Sequence, residues 1–238
     1  MGISIRLDGR LSVCAKYVRR GAVLADIGTD HAYLPAVLAA EGRIARAIAA
    51  DIGEGPCENA EKTIKSAGLG DMITVIRTDG LCGVERYSPT DIVIAGMGGE
   101  TIMSILSATD WIDSPDIRLI LQPMTRQADL WRYLCENGYE ITATDLAEGD
   151  SSAPAGKIYE IVVCSPGGGK RELSDIDAAL RLYRCAAPAR LQRLFAARTL
   201  SYLDESASGL AKGKNTNPER LRRLDFIRQG VREKLESL

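Results

Sequence analysis

The stretch VLADIGTDHA, residues 23–32, decides the fold of this 238-residue chain. Its apolar part reads as a buried strand, and Gly28 permits a tight turn into the helix expected to follow. A strand, a glycine turn and a helix in this order are typical of the first unit of a doubly wound α/β sheet, whose ligands bind where the strands end. The candidate ligand-binding residues of this turn are therefore Asp26, Ile27, Gly28, Thr29, Asp30 and His31.

Six further apolar runs follow along the chain, and they complete the pattern of a sheet. They are RAIAADI (46–52), ITVIRTD (73–79), DIVIAGMGG (91–99), RLILQP (118–123), EITATDL (140–146) and KIYEIVVC (157–164). Helical stretches separate all but the last two runs, which predicts a mostly parallel sheet with helices on both faces. Only residues 147–156 separate the last two, so we expect an antiparallel hairpin at one edge.

The pattern changes after Ser165, at the Pro/Gly segment PGGGK (166–170). We therefore expect two domains, residues 1–165 and residues 166–238. Apolar residues recur at helical spacing on both sides of GLAKGKNTNP (209–218), with Asn217 and Pro218 suited to begin the second helix. The C-terminal part is predicted to be a helical pair forming a short antiparallel coiled coil.

Charge is distributed unequally between these two parts. Residues 1–165 carry 15 Lys and Arg against 23 Asp and Glu, a charge of −8, whereas residues 166–238 carry 15 against 9, a charge of +6. A basic C-terminal part favours a polyanionic partner, because Lys and Arg neutralise phosphates. A solvated helical face is the alternative explanation.

Several classes of protein are disfavoured by composition. No apolar run is long enough to span a membrane, and the N-terminus lacks the apolar core of a signal peptide, so we expect a cytoplasmic protein without a membrane partner. The six cysteines form no Cys-x-x-Cys pair and His31 is the single histidine, so we expect no metal site. The oligomeric state stays open, with a monomer as one option.

The first turn departs from the dinucleotide motif G-x-G-x-x-G. Only Gly28 remains of the glycines, and Asp30 stands where the loop would approach a pyrophosphate. A carboxylate there would repel phosphate and favour a ligand with a cationic group. S-adenosyl-L-methionine is such a ligand.

The ends of the next three strands carry further candidates for binding this cofactor. Asp51 lies 25 residues after Asp26, close to the spacing of a ribose-binding carboxylate, and Asp79 could accept a hydrogen bond from an adenine amino group. The full set at these ends is Asp51, Ile52, Asp79, Gly80, Leu81, Gly96, Met97, Gly98 and Gly99. The alternatives are ordinary turn aspartates and a glycine bulge that serves helix packing.

Together these motifs resemble the bacterial tRNA adenine-22 N1-methyltransferase family, often called TrmK. The resemblance covers the first domain end to end, and the combination of three motifs makes it specific: DIGTDHAYLP (26–35), IAGMGG (94–99) and LILQP (119–123). It also runs through Arg10-Leu11, AIAADIGEGP (47–56), Ala60 to Leu69, TDGL (78–81), RLILQPM (118–124) and KIYEIVV (157–163). The C-terminal part agrees in architecture but poorly in residues.

The resemblance implies a class I methyltransferase fold and methyl transfer from S-adenosyl-L-methionine to N1 of an adenine in tRNA. Asp30 is the first catalytic candidate, as acceptor of a hydrogen bond from the adenine amine, with cofactor positioning as an equal alternative. His31 is the second, although shaping the loop suits it better, because N1 attack needs no prior proton removal. Tyr33 or Met97 could stack on an extruded target base.

RNA contacts are expected from the basic C-terminal helices and from the N-terminus. The candidates are Arg10, Gln122, Arg190, Arg193, Arg220 and Arg223, and the N-terminal basic cluster adds Arg6, Lys16, Arg19 and Arg20. Three alternatives stay open: a methyltransferase acting on another RNA, a small molecule or a protein; an NAD-binding oxidoreductase; and a non-catalytic tRNA-binding protein.

Overall fold

The computed structural model of the protein describes residues 5–149, 156–212 and 217–238. Parts of two predicted connections, residues 147–156 and 209–218, lie outside these described residues. Among the helices that are described, none is both long and apolar enough to cross a membrane.

Seven strands and eight helices build the described chain, together with a short 3-10 helix at Glu85–Tyr87. The strands are β1 (Ala22–Ile27), β2 (Ile44–Asp51), β3 (Ile73–Arg77), β4 (Asp91–Gly98), β5 (Arg118–Thr125), β6 (Tyr139–Glu148) and β7 (Ile158–Pro166). The helices are α1 (Gly9–Tyr17), α2 (Tyr33–Ala40), α3 (Glu54–Ala67), α4 (Gly99–Ser107), α5 (Gln127–Glu136), α6 (Asp175–Leu180), α7 (Ala189–Lys212) and α8 (Pro218–Ser237).

All seven strands join one sheet in the order β3-β2-β1-β4-β5-β7-β6. Strands β1 to β5 pair in parallel, and β7 runs antiparallel to both of its neighbours, β5 and β6. The predicted doubly wound sheet with an antiparallel edge hairpin is confirmed. Its last strand in the chain, however, lies inside the sheet, and β6 forms the edge.

Two apolar cores cover the two faces of the sheet. Helices α1, α2 and α3 pack on one face, through side chains such as Leu38 and Ile64, and α4 and α5 pack on the other, through Ile102 and Trp131. Successive residues of β1 alternate between these cores, as the pleat of a strand requires. Because the five parallel strands all end at one edge, their last residues form one continuous rim.

Helices α7 and α8 lie antiparallel along each other. The guanidinium of Arg193 donates to the backbone oxygen of Leu238, and Arg228 pairs with Asp204, so residue numbers rise along one helix as they fall along the other. Asn217 caps α8 by accepting from the amides of Glu219 and Arg220, as its position predicts.

The C-terminal helices are also fastened to the sheet. Arg181 pairs with Glu160 of β7 at 2.7 Å, and that carboxylate, 3% exposed, also accepts from the indole of Trp131. A backbone bridge joins Cys185 to Thr144 on the edge strand β6. The segment after β7 therefore returns to the sheet instead of leaving it.

Candidate active site

The turn after β1 is held in place by the neighbouring strand. The amides of Gly28 and Thr29 both donate to the carbonyl of Ala50 on β2, at 2.8 and 3.0 Å. Three residues of the turn have positive φ, namely Gly28 (71°), Asp30 (52°) and Ala32 (54°). A left-handed backbone at two non-glycine residues costs free energy and needs support from its surroundings, as is common at binding sites.

Asp51, at the end of β2, ties the first two strand ends together. One carboxylate oxygen accepts from the amide of Asp30 at 3.3 Å, and the other accepts from the amide of Gly53 at 2.9 Å. The following residue, Ile52, is 63% exposed despite being apolar. The predicted pair Asp51 and Ile52 thus presents a carboxylate and an open apolar side chain beside the turn.

Asp26 is the buried acid of the site. Its carboxylate is 5% exposed and accepts from the hydroxyl of Thr29 at 2.6 Å. Burial raises the pKa of Asp26 to about 6. The hydrogen bond from Thr29 lowers this pKa, the negative charge of Asp51 raises it further, and the positive charge of Arg10 lowers it. A buried carboxylate held at this pKa gains from a nearby cation, which would favour its charged form.

A cavity of about 260 Å³ opens in front of Asp26, and it is lined by the first turn and by the N-terminus. Asp30 and His31 lie along it, with side chains 65% and 41% exposed and 3.6 Å between His31 Nε2 and Asp30 Oδ2. The imidazole stacks on the ring of Tyr33 with centroids 5.0 Å apart. The cavity therefore combines three carboxylates, two guanidinium groups and an aromatic pair; besides Asp26 and Asp30, its charged lining residues are Asp8, Arg6 and Arg10.

The glycine loop that ends β4 contains a bulge. Gly96 has no partner in the pairing with β5, where Ala95 faces Gln122 and Met97 faces Pro123, and its φ is 80°. The methyl of Met97 covers Gly28, since a Cβ on that glycine would lie 2.2 Å from it. The bulge thus brings the β4 loop against the β1 turn, as well as serving packing.

Gly99, where α4 begins, is required by packing. A Cβ there would lie 2.7 Å from the carbonyl oxygen of Thr125 and 2.8 Å from that of Arg126. At Gly98 a Cβ would approach the Thr125 hydroxyl to 3.1 Å. Close packing against Thr125 and Arg126 thus explains why glycine occupies these two positions. Their contact with the cofactor stays a prediction.

Arg10 and Gln122, both predicted to contact RNA, meet each other inside the site. The Gln122 side chain is fully buried; its oxygen accepts from Arg10 at 3.2 Å and from the Gly96 amide at 3.1 Å, and its nitrogen donates to the Pro123 carbonyl. Arg10 is also held by Asp8 at 2.9 Å. The buried Gln122 side chain thus joins Arg10 to the glycine loop, and RNA contact by either residue stays a prediction.

The predicted adenine-binding residues lie elsewhere on the rim. Asp79, Gly80 and Leu81 line a second cavity, of about 470 Å³, together with residues of α4 and the segment that follows it. Asp79 is exposed and Leu81 is buried. The structure thus gathers the first turn around one cavity and places this third strand end at another.

The predicted RNA contacts on the C-terminal helices are exposed, and most of them are paired. Arg190 pairs with Glu148 at 2.8 Å, and Arg193 donates to the backbone oxygen of Leu238. Arg223 donates to the Asp175 carboxylate through two of its nitrogens, Nε and Nη2. Arg220 lies exposed in the first turn of α8. Of the N-terminal cluster, Arg19 is held by Asp91 and by two carbonyls, and Lys16 by Asp145.

Two features of the site escaped the sequence reasoning. The N-terminal helix folds back so that Asp8 and Arg10 line the cavity, and no local pattern shows such a return. Arg126, directly after β5, pairs with Glu100 of α4 at 3.0 Å across the rim. No group of three or more His, Cys, Asp or Glu side chains suited to a metal occurs among the described residues.

Comparison with known proteins gives the family. Residues 7–162 match the model of a methyltransferase domain. The tRNA (adenine(22)-N(1))-methyltransferase of Bacillus subtilis is 36% identical over 163 residues, which are 68% of this chain and 66% of that relative.

Two solved structures extend the match to nearly the whole chain. The putative tRNA (m1A22) methyltransferase Sp1610 of Streptococcus pneumoniae superposes with a TM-score of 0.80 at 32% identity, covering 97% of this chain and 100% of that one. A structure of Sp1610 in complex with S-adenosyl-L-methionine gives 0.73 at 31%, with the same coverage. The chain therefore belongs to the TrmK-like tRNA m1A22 methyltransferase family, with a class I S-adenosylmethionine-dependent methyltransferase domain.

Proposed function

We propose that this protein methylates N1 of adenine 22 in tRNA, with S-adenosyl-L-methionine as methyl donor. The observation that carries the proposal is the buried carboxylate of Asp26, which faces a cavity with a second carboxylate, Asp30, at its side. With Asp8 the acids of the lining outnumber its two arginines, Arg6 and Arg10, which suits a cationic ligand and disfavours the pyrophosphate of NAD. Family membership supports the same reaction.

The residues of the rim fit this cofactor. Asp26 would hold its positively charged methionine end. Each oxygen of Asp51 accepts one backbone N–H and keeps a second lone pair for a ribose hydroxyl. The exposed side chain of Ile52 offers an apolar surface for the adenine ring.

When bound, S-adenosylmethionine supplies an electrophilic methyl group on a sulfonium sulfur. Adenine N1 is unprotonated at neutral pH, so the protein needs no strong base and works mainly by alignment and exclusion of water. The stacked pair of His31 and Tyr33 provides a surface for the extruded base. Asp30 accepts a hydrogen bond from the adenine amine, and its charge stabilises the cation that forms on the ring. His31 Nε2 lies 3.6 Å from that carboxylate, and we assign His31 to shaping the loop.

We assign methyl transfer to residues 1–165 and RNA binding mainly to residues 166–238. The charge of the second part, 15 Lys and Arg against 9 Asp and Glu, supports contact with a polyanion. A tRNA substrate also supports the cytoplasmic location expected from the sequence.

The direct test is incubation of the full chain with S-adenosylmethionine and two tRNA transcripts, one with adenine at position 22 and one with guanine there. N1-methyladenosine should appear by mass spectrometry of digested nucleosides, and only in the first transcript. Equal methylation of both transcripts would contradict the assigned position, and no methylated base in either would overturn the proposal.

The role of Asp30 can be separated from that of its neighbour. Asp30→Asn should lower kcat about 10- to 1,000-fold if the carboxylate stabilises charge during transfer, with a smaller change in cofactor affinity. A loss confined to cofactor affinity would assign Asp30 to positioning. His31→Gln is the matched variant; because no base is required, it should lose only the part of kcat that depends on the stacked surface with Tyr33.

A further inference from the structure

A groove of about 580 Å³ runs between the catalytic domain and the C-terminal helices, separate from the cavity at Asp26. Its walls come from the start of α5, the start of β7, α6 and one face of α7, with a single residue of α8. We call it the interdomain groove and define it by Arg126, Lys157, Phe195, Arg198 and Tyr202, which all line it.

One end of this groove adjoins the catalytic rim. Arg126 follows β5 directly, and its guanidinium pairs with Glu100 in the first turn of α4. That turn begins at Gly99, the last residue of the glycine loop of the site. A chain lying in the interdomain groove would therefore pass close to the place where the target base is expected.

The charge of the groove is positive. Five basic side chains line it against two acidic ones, Asp129 and Asp175. Three of the five are paired with acids: Arg126 with Glu100 and Asp129, Arg132 with both acids of the groove, and Arg181 with the buried Glu160.

Lys157 and Arg198 are the other two cations that line the groove. Lys157 lies 5.9 Å above the ring of Tyr159, and Arg198 donates to the carbonyl of Gly156, contacts that leave both charges without a carboxylate partner among the described residues. Cations placed in this way attract phosphates, and each one used releases counterions.

Aromatic rings lie beside these cations. Tyr202 is 69% exposed on α7. Phe195 lies two helical turns before it on the same face, and its ring centroid is 5.4 Å from the guanidinium carbon of Arg181. Exposed rings next to a basic track are the combination by which proteins bind unpaired nucleotides, because every base has a face to stack. An RNA duplex, by contrast, keeps its bases stacked inside and is read through phosphates and 2′-hydroxyls.

We propose that the interdomain groove binds an unpaired nucleotide of the substrate RNA, stacked on Tyr202, with its flanking phosphates on Lys157 and Arg198. This inference rests on the proposed function, since it assigns a second contact to the same RNA. The groove needs both parts of the chain, and the buried Arg181–Glu160 pair holds them at the spacing that forms it.

The test measures binding of full-length variants to the tRNA by fluorescence anisotropy across a range of salt. Tyr202→Ala should weaken binding roughly tenfold or more, as expected for loss of one stacked base, whereas Tyr202→Phe, which keeps the ring, should bind normally. Arg198→Ala should reduce the slope of log affinity against log salt by about one.

Matched controls are available on α8, outside the groove. Phe226 is 65% exposed and Arg232 is exposed, and neither lines the groove. Phe226→Ala and Arg232→Ala should bind tRNA within about twofold of wild type. Calorimetry should give unchanged affinity for S-adenosylmethionine in all these variants, which excludes misfolding as the cause.

Wild-type affinity in Tyr202→Ala, or an equal loss in Phe226→Ala, would overturn the groove proposal. If the wild-type protein binds tRNA through Tyr202 but forms no N1-methyladenosine, the proposed function fails and the groove stands. If it methylates adenine 22 while all groove variants bind normally, the groove fails and the function stands.

Discussion

Asp26→Asn should stabilise the cofactor-free protein at neutral pH while weakening its hold on S-adenosylmethionine. The carboxylate is 5% exposed, and burial raises its pKa from 3.8 to about 6. A shift of about two units at about 1.4 kcal/mol each corresponds to about 3 kcal/mol of destabilisation when the group is ionised. Asparagine keeps the acceptor for the Thr29 hydroxyl and removes the charge.

The sign of the pH dependence follows from a pKa that is higher in the folded protein. The stabilising contribution of protonated Asp26 is complete below the unfolded value of 3.8 and is lost as pH rises through about 6. The variant should therefore exceed wild type by about 3 kcal/mol at pH 8 and by about half as much at pH 5.

Urea unfolding at the two pH values measures this difference. Asp30→Asn is the matched control, because it removes a carboxylate from the same turn at a side chain that is 65% exposed. An Asp26→Asn variant whose stability differs from wild type by the same amount at pH 5 and pH 8 would refute the reasoning.

Three further predictions concern the cofactor, the glycine loop and the domain contact. Affinity for S-adenosylmethionine, measured by calorimetry, should rise roughly tenfold between pH 5 and pH 7 as Asp26 ionises. In Asp26→Asn the affinity should not change with pH, and a rise like that of wild type would contradict the assignment of Asp26 to cofactor binding. Gly96→Ala places a Cβ 2.7 Å from Arg10 Nη1 at a φ of 80°, so it should cost about 1–3 kcal/mol in urea unfolding and reduce cofactor affinity. Unchanged values would contradict both the backbone strain and the role of the contact with Arg10. Arg181→Met leaves Glu160 buried without its cationic partner and should lower the free energy of unfolding by about 3–5 kcal/mol. Adding Glu160→Gln should recover part of that loss, and no recovery would show that the loss does not come from the unpaired charge of Glu160.

Most elements of the fold were predictable because their signals are local. A run such as IVIAG (92–96) is apolar throughout, which in a parallel sheet indicates cover on both faces, and β4 is indeed buried over Asp91–Ile94. The cap at Asn217 depends only on residues up to three positions further along the chain, Glu219 and Arg220. The domain division at residue 165 stays a prediction, with β7 ending at Pro166.

The candidate site was predictable only in part. An acidic residue or a glycine at the end of an apolar run marks the end of a strand in the sequence. This signal identified Asp26, Asp51 and Gly96. Burial could not be read in this way, so the difference between Asp26, nearly inaccessible, and Asp30, largely exposed, came only from the structure.

The sequence by itself determined the seven strands, the glycine turn after β1, the acidic character of the site and the basic C-terminal helices. These follow from periodicity, turn chemistry and charge, which are properties of neighbouring residues. The tertiary structure alone decided that β7 lies between β5 and β6, that Arg10 meets Gln122 across 112 residues of chain, and that a basic groove forms beside α7. Such contacts depend on packing between elements distant in sequence, and no local pattern encodes which of them will meet.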